Sequence, residues 1–319
     1  MKSVKKREAK FCNLKFFLIF LTVFAHIIEP HTGKSEALKL IYTAIYVFHM
    51  PAFAFLSGFF ASCDRKKIIC RLFNVVALYA GAQSICTAVT WHFERKNIIL
   101  TPYFHLWYLL SLVFWLFGAL IWAFLTEKIP KISTKSVKLT LFIFFSALSV
   151  FVLSLGHLGR TLSLSRTAAF FPFFLAGMFC PRSIEWKRYR PHGICALAVG
   201  AFGVFFLRKS LTFPLLWRAG DCQYESYLSG IALNAALLCI GFFLIFFLLT
   251  FMTEHVFAVS AVGADTTAVY VLHGFIVKSI YYIPILQNLT LSASFLLTVL
   301  IIGVIHLIKR RFSPKYIIV

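Results

Sequence analysis

The sequence predicts an all-α fold: a polytopic bundle of about ten helices that cross a membrane, with both termini in the cytoplasm. Of the 319 residues, 60% are hydrophobic and only 13% are charged, and the mean hydropathy is +0.85. These values lie far outside the range of ordinary soluble domains. Several apolar runs also exceed about 18 residues, the length that indicates a membrane-spanning helix. The distribution of positive charge then orients the helices.

Ten segments fit this description in succession along the chain. Their approximate bounds are residues 14–29, 37–60, 69–91, 103–125, 137–156, 166–180, 192–207, 226–252, 259–283 and 290–308. The sixth and seventh are short. The chain is thereby divided into a basic cytoplasmic N-terminus (1–13), a transmembrane domain (14–308) and a basic cytoplasmic tail (309–319).

The loops between these segments justify their order and direction. With the N-terminus inside, 21 of the 32 Lys and Arg residues fall on cytoplasmic segments and nine fall outside. This bias alternates correctly across ten crossings, as expected when positive charge sets topology. The net charge of +21 is therefore explained by loop residues. No soluble segment is long enough for a nucleic-acid-binding module, so we expect the lipid bilayer, and no nucleic acid, as a partner.

The first span carries two ionisable residues in an unusual arrangement. Side chains of this kind are costly inside a bilayer and indicate a functional site by default. Lys15 and His26 are eleven residues apart, which places them about 16 Å apart and within about 20° of the same helix face. Glu29 follows three residues later, where a carboxylate would orient the imidazole. The alternative is a snorkelling lysine, an interfacial histidine and a solvated acid.

Other polar and aromatic residues lie at span centres or ends. His49 stands beside Pro51 in the middle of the second span, where proline must disturb helical hydrogen bonding. The remaining candidates lie towards the outer side and are His105, Trp107, Arg166 and His273. For His105 and Trp107 the alternative is membership of the interfacial aromatic belt. The outer loop 208–225 is open to two interpretations, an acceptor-binding loop or a plain connector.

The eight cysteines are scattered, mostly in or beside apolar runs, and no CxxC occurs. No Cys and His residues show the spacing of metal ligands. We therefore expect no metal, and we interpret nearly all of the cysteines as small buried residues.

The ordered motifs "N-x-K-x10-H-x-x-E-P", "FHMPxFxFLSGFF", "HLWYLL", "RTAAFFPFFLAG" and "YVLHG" resemble the membrane acyltransferase-3 family. The likeness is closest to its compact, fucose 4-O-acetylase-like branch. It runs from about residue 11 to the last span. The resemblance implies an O-acetyltransferase of the bacterial cytoplasmic (inner) membrane. Such an enzyme moves acetyl from cytoplasmic acetyl-CoA to a sugar hydroxyl of a cell-surface or exported glycan.

The resemblance and the chemistry of acyl transfer to an alcohol together suggest roles for particular residues. His26 is the expected base or covalent acetyl carrier, and Glu29 would orient it. Arg166 would steady the oxyanion or the acceptor. The CoA phosphates would be bound by inner cations, namely Lys15, Lys67 and Arg71. The passage would be lined by polar and aromatic residues, namely His49, His105, Trp107 and His273.

Three other classes stay open at the level of sequence. A transporter or flippase also uses intramembrane His, Lys and Asp residues, often with broken helices. A different membrane acyltransferase class with an Asn/His core would also use acyl-CoA. A non-catalytic membrane subunit is the third alternative. The acceptor, the acyl group and the oligomeric state are not specified by these patterns.

Overall fold

The computed structural model describes residues 6–90, 101–156, 158–218, 220, 222–281, 283 and 289–312, and these residues form an all-α protein. The α helices in them are α1 (Lys6–Ile28), α2 (Glu36–Phe59), α3 (Arg65–Thr90), α4 (Trp107–Lys128), α5 (Lys135–Ser154), α6 (Leu164–Phe179), α7 (Arg190–Leu207), α8 (Phe213–Trp217), α9 (Tyr227–Phe251), α10 (Ala258–Ala264), α11 (Thr267–Ile280) and α12 (Leu291–Phe312). Short 3₁₀ turns occupy Glu29–His31, Pro130–Ser133, Thr161–Ser163 and Trp186–Tyr189.

The number of membrane-crossing helices agrees with the sequence prediction. Within the described ranges, nine helices are long and apolar enough to cross a membrane, and a bent pair brings the number to as many as ten. The all-α class and the approximate span count are therefore confirmed. The cytoplasmic placement of the termini stays a prediction. Residue 91 of the third span, residues 1–5 and residues 313–319 lie outside the described residues.

The ninth predicted span, 259–283, is not one straight helix. It is divided into α10 and α11, which meet at 89°. Gly263 allows α10 to approach α1 closely, because a Cβ there would come within 1.8 Å of the Cys12 carbonyl oxygen. α10 therefore lies directly on the backbone of α1. Asp265, at the bend, pairs with Lys309 of α12.

The chain forms two compact units, and the first comprises Met1–His49, Glu185–Lys209 and Phe243–Val319. In it, α1 packs against α10, α11 and α12. Asn13 fixes this packing at one end of α1. Its amide donates hydrogen bonds to the carbonyls of Thr253 (3.1 Å) and His255 (2.8 Å), and its oxygen accepts one from Ser260 at 2.5 Å.

The second unit comprises Met50–Ile184 and Ser210–Phe242. α4 packs against α3 and α6, and α5 packs against α6. The part of α2 in this unit meets α6 through two glycines. A Cβ on Gly58 would lie 1.9 Å from the Phe174 oxygen, and one on Gly177 would lie 1.9 Å from the Phe55 oxygen. Backbone therefore lies against backbone, as small residues allow between membrane helices.

Candidate active site

His26 and Glu29 meet where the first span ends. α1 ends at Ile28, and the 3₁₀ turn that follows keeps Glu29 one turn beyond the histidine. The imidazole Nδ1 and the carboxylate Oε2 are 3.3 Å apart. Their side chains are 13% and 22% exposed. The structure thus brings together the two residues that the sequence placed on neighbouring parts of one helix face.

This contact determines which nitrogen of the neutral His26 ring carries the proton. The Glu29 carboxylate is an acceptor, so Nδ1 carries the proton and donates it to Oε2. Nε2 then holds the lone pair of the neutral ring. A histidine held in this tautomer by a carboxylate has the arrangement of a general base in acyl transfer.

Two tyrosines of α2 complete the surroundings of Glu29. The Tyr42 and Tyr46 hydroxyls donate to the same Oε2 at 3.2 and 3.1 Å. The Tyr46 hydroxyl also lies 3.2 Å from His26 Nδ1. Sequence reasoning missed both residues, although with His49 they form an i, i+4, i+7 stripe on one face of α2.

Tyr281 supports His26 from the opposite end of the sequence. Its hydroxyl donates a hydrogen bond to the His26 carbonyl oxygen at 2.5 Å. A tyrosine hydroxyl is a donor as well as an acceptor, and a backbone carbonyl only accepts, so the direction of this bond is fixed. Nothing in the local sequence pattern indicated this residue.

Two further predicted histidines lie beside this group in the first unit. The His273 ring stacks on that of His26, with centroids 5.6 Å apart and an angle of 24°. The His49 ring meets the Tyr46 ring edge-on at 4.9 Å. Each Nδ1 faces the carbonyl four residues earlier, Ile45 at 2.8 Å and Val269 at 3.0 Å. Carbonyls only accept, so both rings carry the proton on Nδ1.

Cations lie on α1 on the N-terminal side of this group. Lys15 is half-buried and lies about 16 Å from His26 along the helix, at about 1.5 Å per residue. Lys10, which the sequence did not single out, is almost fully buried at 2% exposure. Its ammonium lies 5.6 Å from the centre of the Trp186 ring, as a cation–π contact requires.

The other predicted residues belong to the second unit. Arg166 lies 5.0 Å over the Trp107 ring, and its Nε donates to the Trp217 carbonyl at 2.9 Å. Trp107 also stacks on Phe170 at 5.3 Å, so the ring beneath Arg166 is itself packed against a second aromatic ring. His105 is buried just before α4 begins.

The two predicted phosphate-binding residues on α3 differ in their surroundings. Lys67 is exposed. Arg71 donates to the Phe60 carbonyl at 3.3 Å, just past the end of α2. Arg182, which the sequence did not single out, donates to the next carbonyl, that of Ala61, at 2.8 Å. Two guanidiniums therefore satisfy backbone acceptors where α2 ends, as expected of cations near a helix C-terminus.

Comparison with known families decides the class of this protein. A family model of the acyltransferase-3 family, described as an acyltransferase domain, matches residues 11–309. The chain belongs to this family. It is thus a membrane acyltransferase with many spans. No curated protein and no solved structure matches it.

The acyltransferase presents two chemically distinct groups, each within one unit. In the first unit, His26, Glu29, Tyr42 and Tyr46 form a hydrogen-bonded base. In the second, Arg166 lies on an aromatic ring and a backbone carbonyl. The first group can accept a proton from a hydroxyl, and the second can attract negative charge.

Proposed function

We propose that this acyltransferase moves an acetyl group from cytoplasmic acetyl-CoA to a sugar hydroxyl of a cell-surface or exported glycan. The proposal places it as an O-acetyltransferase in a bacterial cytoplasmic membrane, in the fucose 4-O-acetylase-like branch. Family membership supports the acyl transfer and favours it over a transporter or flippase. The ordered motifs support the donor, the acceptor and the branch.

The observation that carries the proposal is the hydrogen bond between His26 and Glu29. Acyl transfer to an alcohol needs a base for the hydroxyl proton. A base oriented by a third group is the recurring solution. Glu29 supplies that group, and the Tyr42 and Tyr46 hydroxyls hold its carboxylate in place.

In the proposed reaction, His26 Nε2 removes the proton from the sugar hydroxyl as its oxygen bonds to the thioester carbonyl carbon. Glu29 stabilises the imidazolium that forms. The tetrahedral intermediate then collapses as the carbon–sulfur bond breaks, and the proton on Nε2 passes to the departing CoA thiolate. The products are an O-acetyl sugar and CoA.

The remaining predicted roles are parts of the same proposal. Lys15, Lys67 and Arg71 would contact the CoA phosphates, to which an ammonium or a guanidinium is suited. Arg166 would stabilise the oxyanion or hold the acceptor. The passage would be lined by His49, His105, Trp107 and His273.

The test uses membranes that contain the protein, labelled acetyl-CoA and extraction of the surface glycan. His26→Ala should abolish transfer of label. The matched control is His192→Ala, because His192 is an exposed histidine near the start of α7 in the same unit. A His26→Ala variant that acetylates at the unchanged rate would falsify the catalytic assignment.

The same assay separates the two mechanisms open for His26. A covalent carrier would transfer label from acetyl-CoA to the protein when no acceptor is present, and His26→Ala would remove that label. A general base leaves the protein unlabelled under those conditions.

A further inference from the structure

Two arginines of the second unit make hydrogen bonds near the C-terminal end of α8. Arg166 Nε donates to the carbonyl of Trp217, and Arg218 is the next residue in the chain. Arg218 ends α8 with a φ of 52°, the left-handed conformation that side chains other than glycine seldom adopt. Both arginines lie on segments predicted to face outside.

The guanidinium of Arg218 is bonded to a neutral group. Its Nη1 donates to Asn234 Oδ1. The Asn234 amide nitrogen donates to the Gly230 carbonyl and the Tyr224 hydroxyl, both at 2.9 Å. Because a carbonyl can only accept, the amide nitrogen must face Gly230 and the amide oxygen must face Arg218. Asn234 is therefore oriented as an acceptor for this guanidinium.

The electrostatics of Arg218 favour a negatively charged ligand. The residue is half-buried, and burial lowers the pKa of its guanidinium. Arginine nevertheless stays protonated in proteins. Among the described residues, the hydrogen-bond acceptor of this partly desolvated charge is a neutral amide. A carboxylate or phosphate would bind such a guanidinium through strong, often bidentate hydrogen bonds.

The backbone that follows Arg218 is closely packed. Gly220 has a φ of 84°, and a Cβ there would come 2.5 Å from the Gly159 nitrogen. Gly156 has a φ of 71°, and a Cβ there would come 2.7 Å from the Cys222 carbonyl oxygen. The segment that follows Arg218 therefore lies backbone to backbone against the segment that contains Gly156 and Gly159. A preorganised site of this kind loses little entropy when a ligand binds.

We propose that Arg166 and Arg218 bind a carboxylate or phosphate group of the acceptor glycan, so that the acyltransferase modifies an acidic sugar chain. This inference rests on the proposed function, whose acceptor it specifies. Trp107 positions Arg166, and Asn234 positions Arg218. The outer loop 208–225 is then an acceptor-binding loop, the first of its two sequence interpretations.

The binding test uses the purified full-length protein with His26→Ala, so that turnover is absent. Four probes are titrated: a uronic-acid oligosaccharide, its carboxyl-reduced neutral form, a phosphorylated oligosaccharide and its dephosphorylated form. We expect at least one acidic probe to bind about tenfold or more tightly than its neutral counterpart, because guanidinium–anion hydrogen bonds are charge-assisted. The pair in which the acidic probe binds more tightly shows whether the anion is a carboxylate or a phosphate. Equal binding within both pairs, or no binding of any probe, overturns the proposal.

Variants then assign the effect to Arg218. Arg218→Gln should weaken the acidic probe about tenfold and leave the neutral probe unchanged. Arg218→Lys should retain part of the preference. Arg208→Gln removes an exposed arginine at the end of α7 and should change neither affinity. Equal weakening of both probes by Arg218→Gln overturns the proposal. If the Arg218→Gln protein does not fold, the Arg218→Lys protein decides, and unchanged affinity for both probes then overturns the proposal.

Transfer assays with His26 intact separate this inference from the proposed function. Equal acetylation of acidic and neutral glycans would leave the function standing and refute the anion site. Charge-dependent binding without acetyl transfer to any glycan would retain the anion site and refute the proposed function.

Discussion

Replacing Glu29 by Gln isolates the charge of the carboxylate that holds His26. Glu29 Oε2 accepts hydrogen bonds from His26 Nδ1, the Tyr42 hydroxyl and the Tyr46 hydroxyl at 3.3, 3.2 and 3.1 Å. A hydrogen bond to a charged group contributes about 1.5–3 kcal/mol. These contacts are long for charge-assisted bonds, so the lower part of that range applies. A loss of about 2 kcal/mol from the transition state lowers kcat roughly 30-fold.

The assay measures kcat and KM for acetyl-CoA with membranes and extracted glycan. Glu29→Gln should lower kcat and leave KM nearly unchanged, because the lost charge acts on the imidazolium that forms only during reaction. Glu36→Gln is the matched control, since the Glu36 side chain is 94% exposed. A Glu29→Gln enzyme whose kcat stays within about twofold of the unchanged protein would refute this reasoning.

The other predictions follow from single contacts. Tyr46→Phe should lower kcat about fivefold to tenfold, since it removes one of the donors to the carboxylate, and the same assay measures it. Lys15→Ala should raise KM for acetyl-CoA. The control Lys39→Ala, which changes a 45% exposed side chain, should not. Equal KM values for the two variants would refute the phosphate role of Lys15. Gly177→Ala should destabilise the protein by about 2 kcal/mol, because its Cβ would meet backbone. Gly303→Ala, with open space around it, should leave the Tm in detergent unchanged or higher.

The membrane-crossing helices were predictable because their signal is local. A run of about twenty apolar residues is sufficient to indicate a span. The break between α10 and α11 was not predictable in this way. α10 packs on α1 where Gly263 meets the Cys12 backbone, and those residues are far apart in sequence. The helical periodicity of the sequence indicates neither the contact of Gly263 with Cys12 nor the bend between α10 and α11.

In the candidate site, too, contacts between near neighbours in sequence were predictable and contacts between distant segments were not. The meeting of His26 and Glu29 could be anticipated, since residues three apart on a helix are neighbours. Tyr281 reaches His26 from a distant segment, so only the tertiary structure reveals it. Arg71 shows a further limit. Its charge indicated a phosphate ligand, whereas its hydrogen bond to Phe60 depends on where α2 ends.

The tautomers of His49 and His273 restrict what these rings can bind. Both donate through Nδ1 to a carbonyl of their own helix, so Nε2 is the acceptor atom of the neutral ring. Such a nitrogen attracts proton donors and repels carbonyl and carboxylate oxygens. In the proposed passage, these two rings would therefore favour a molecule rich in hydroxyl groups over one that presents only acceptors.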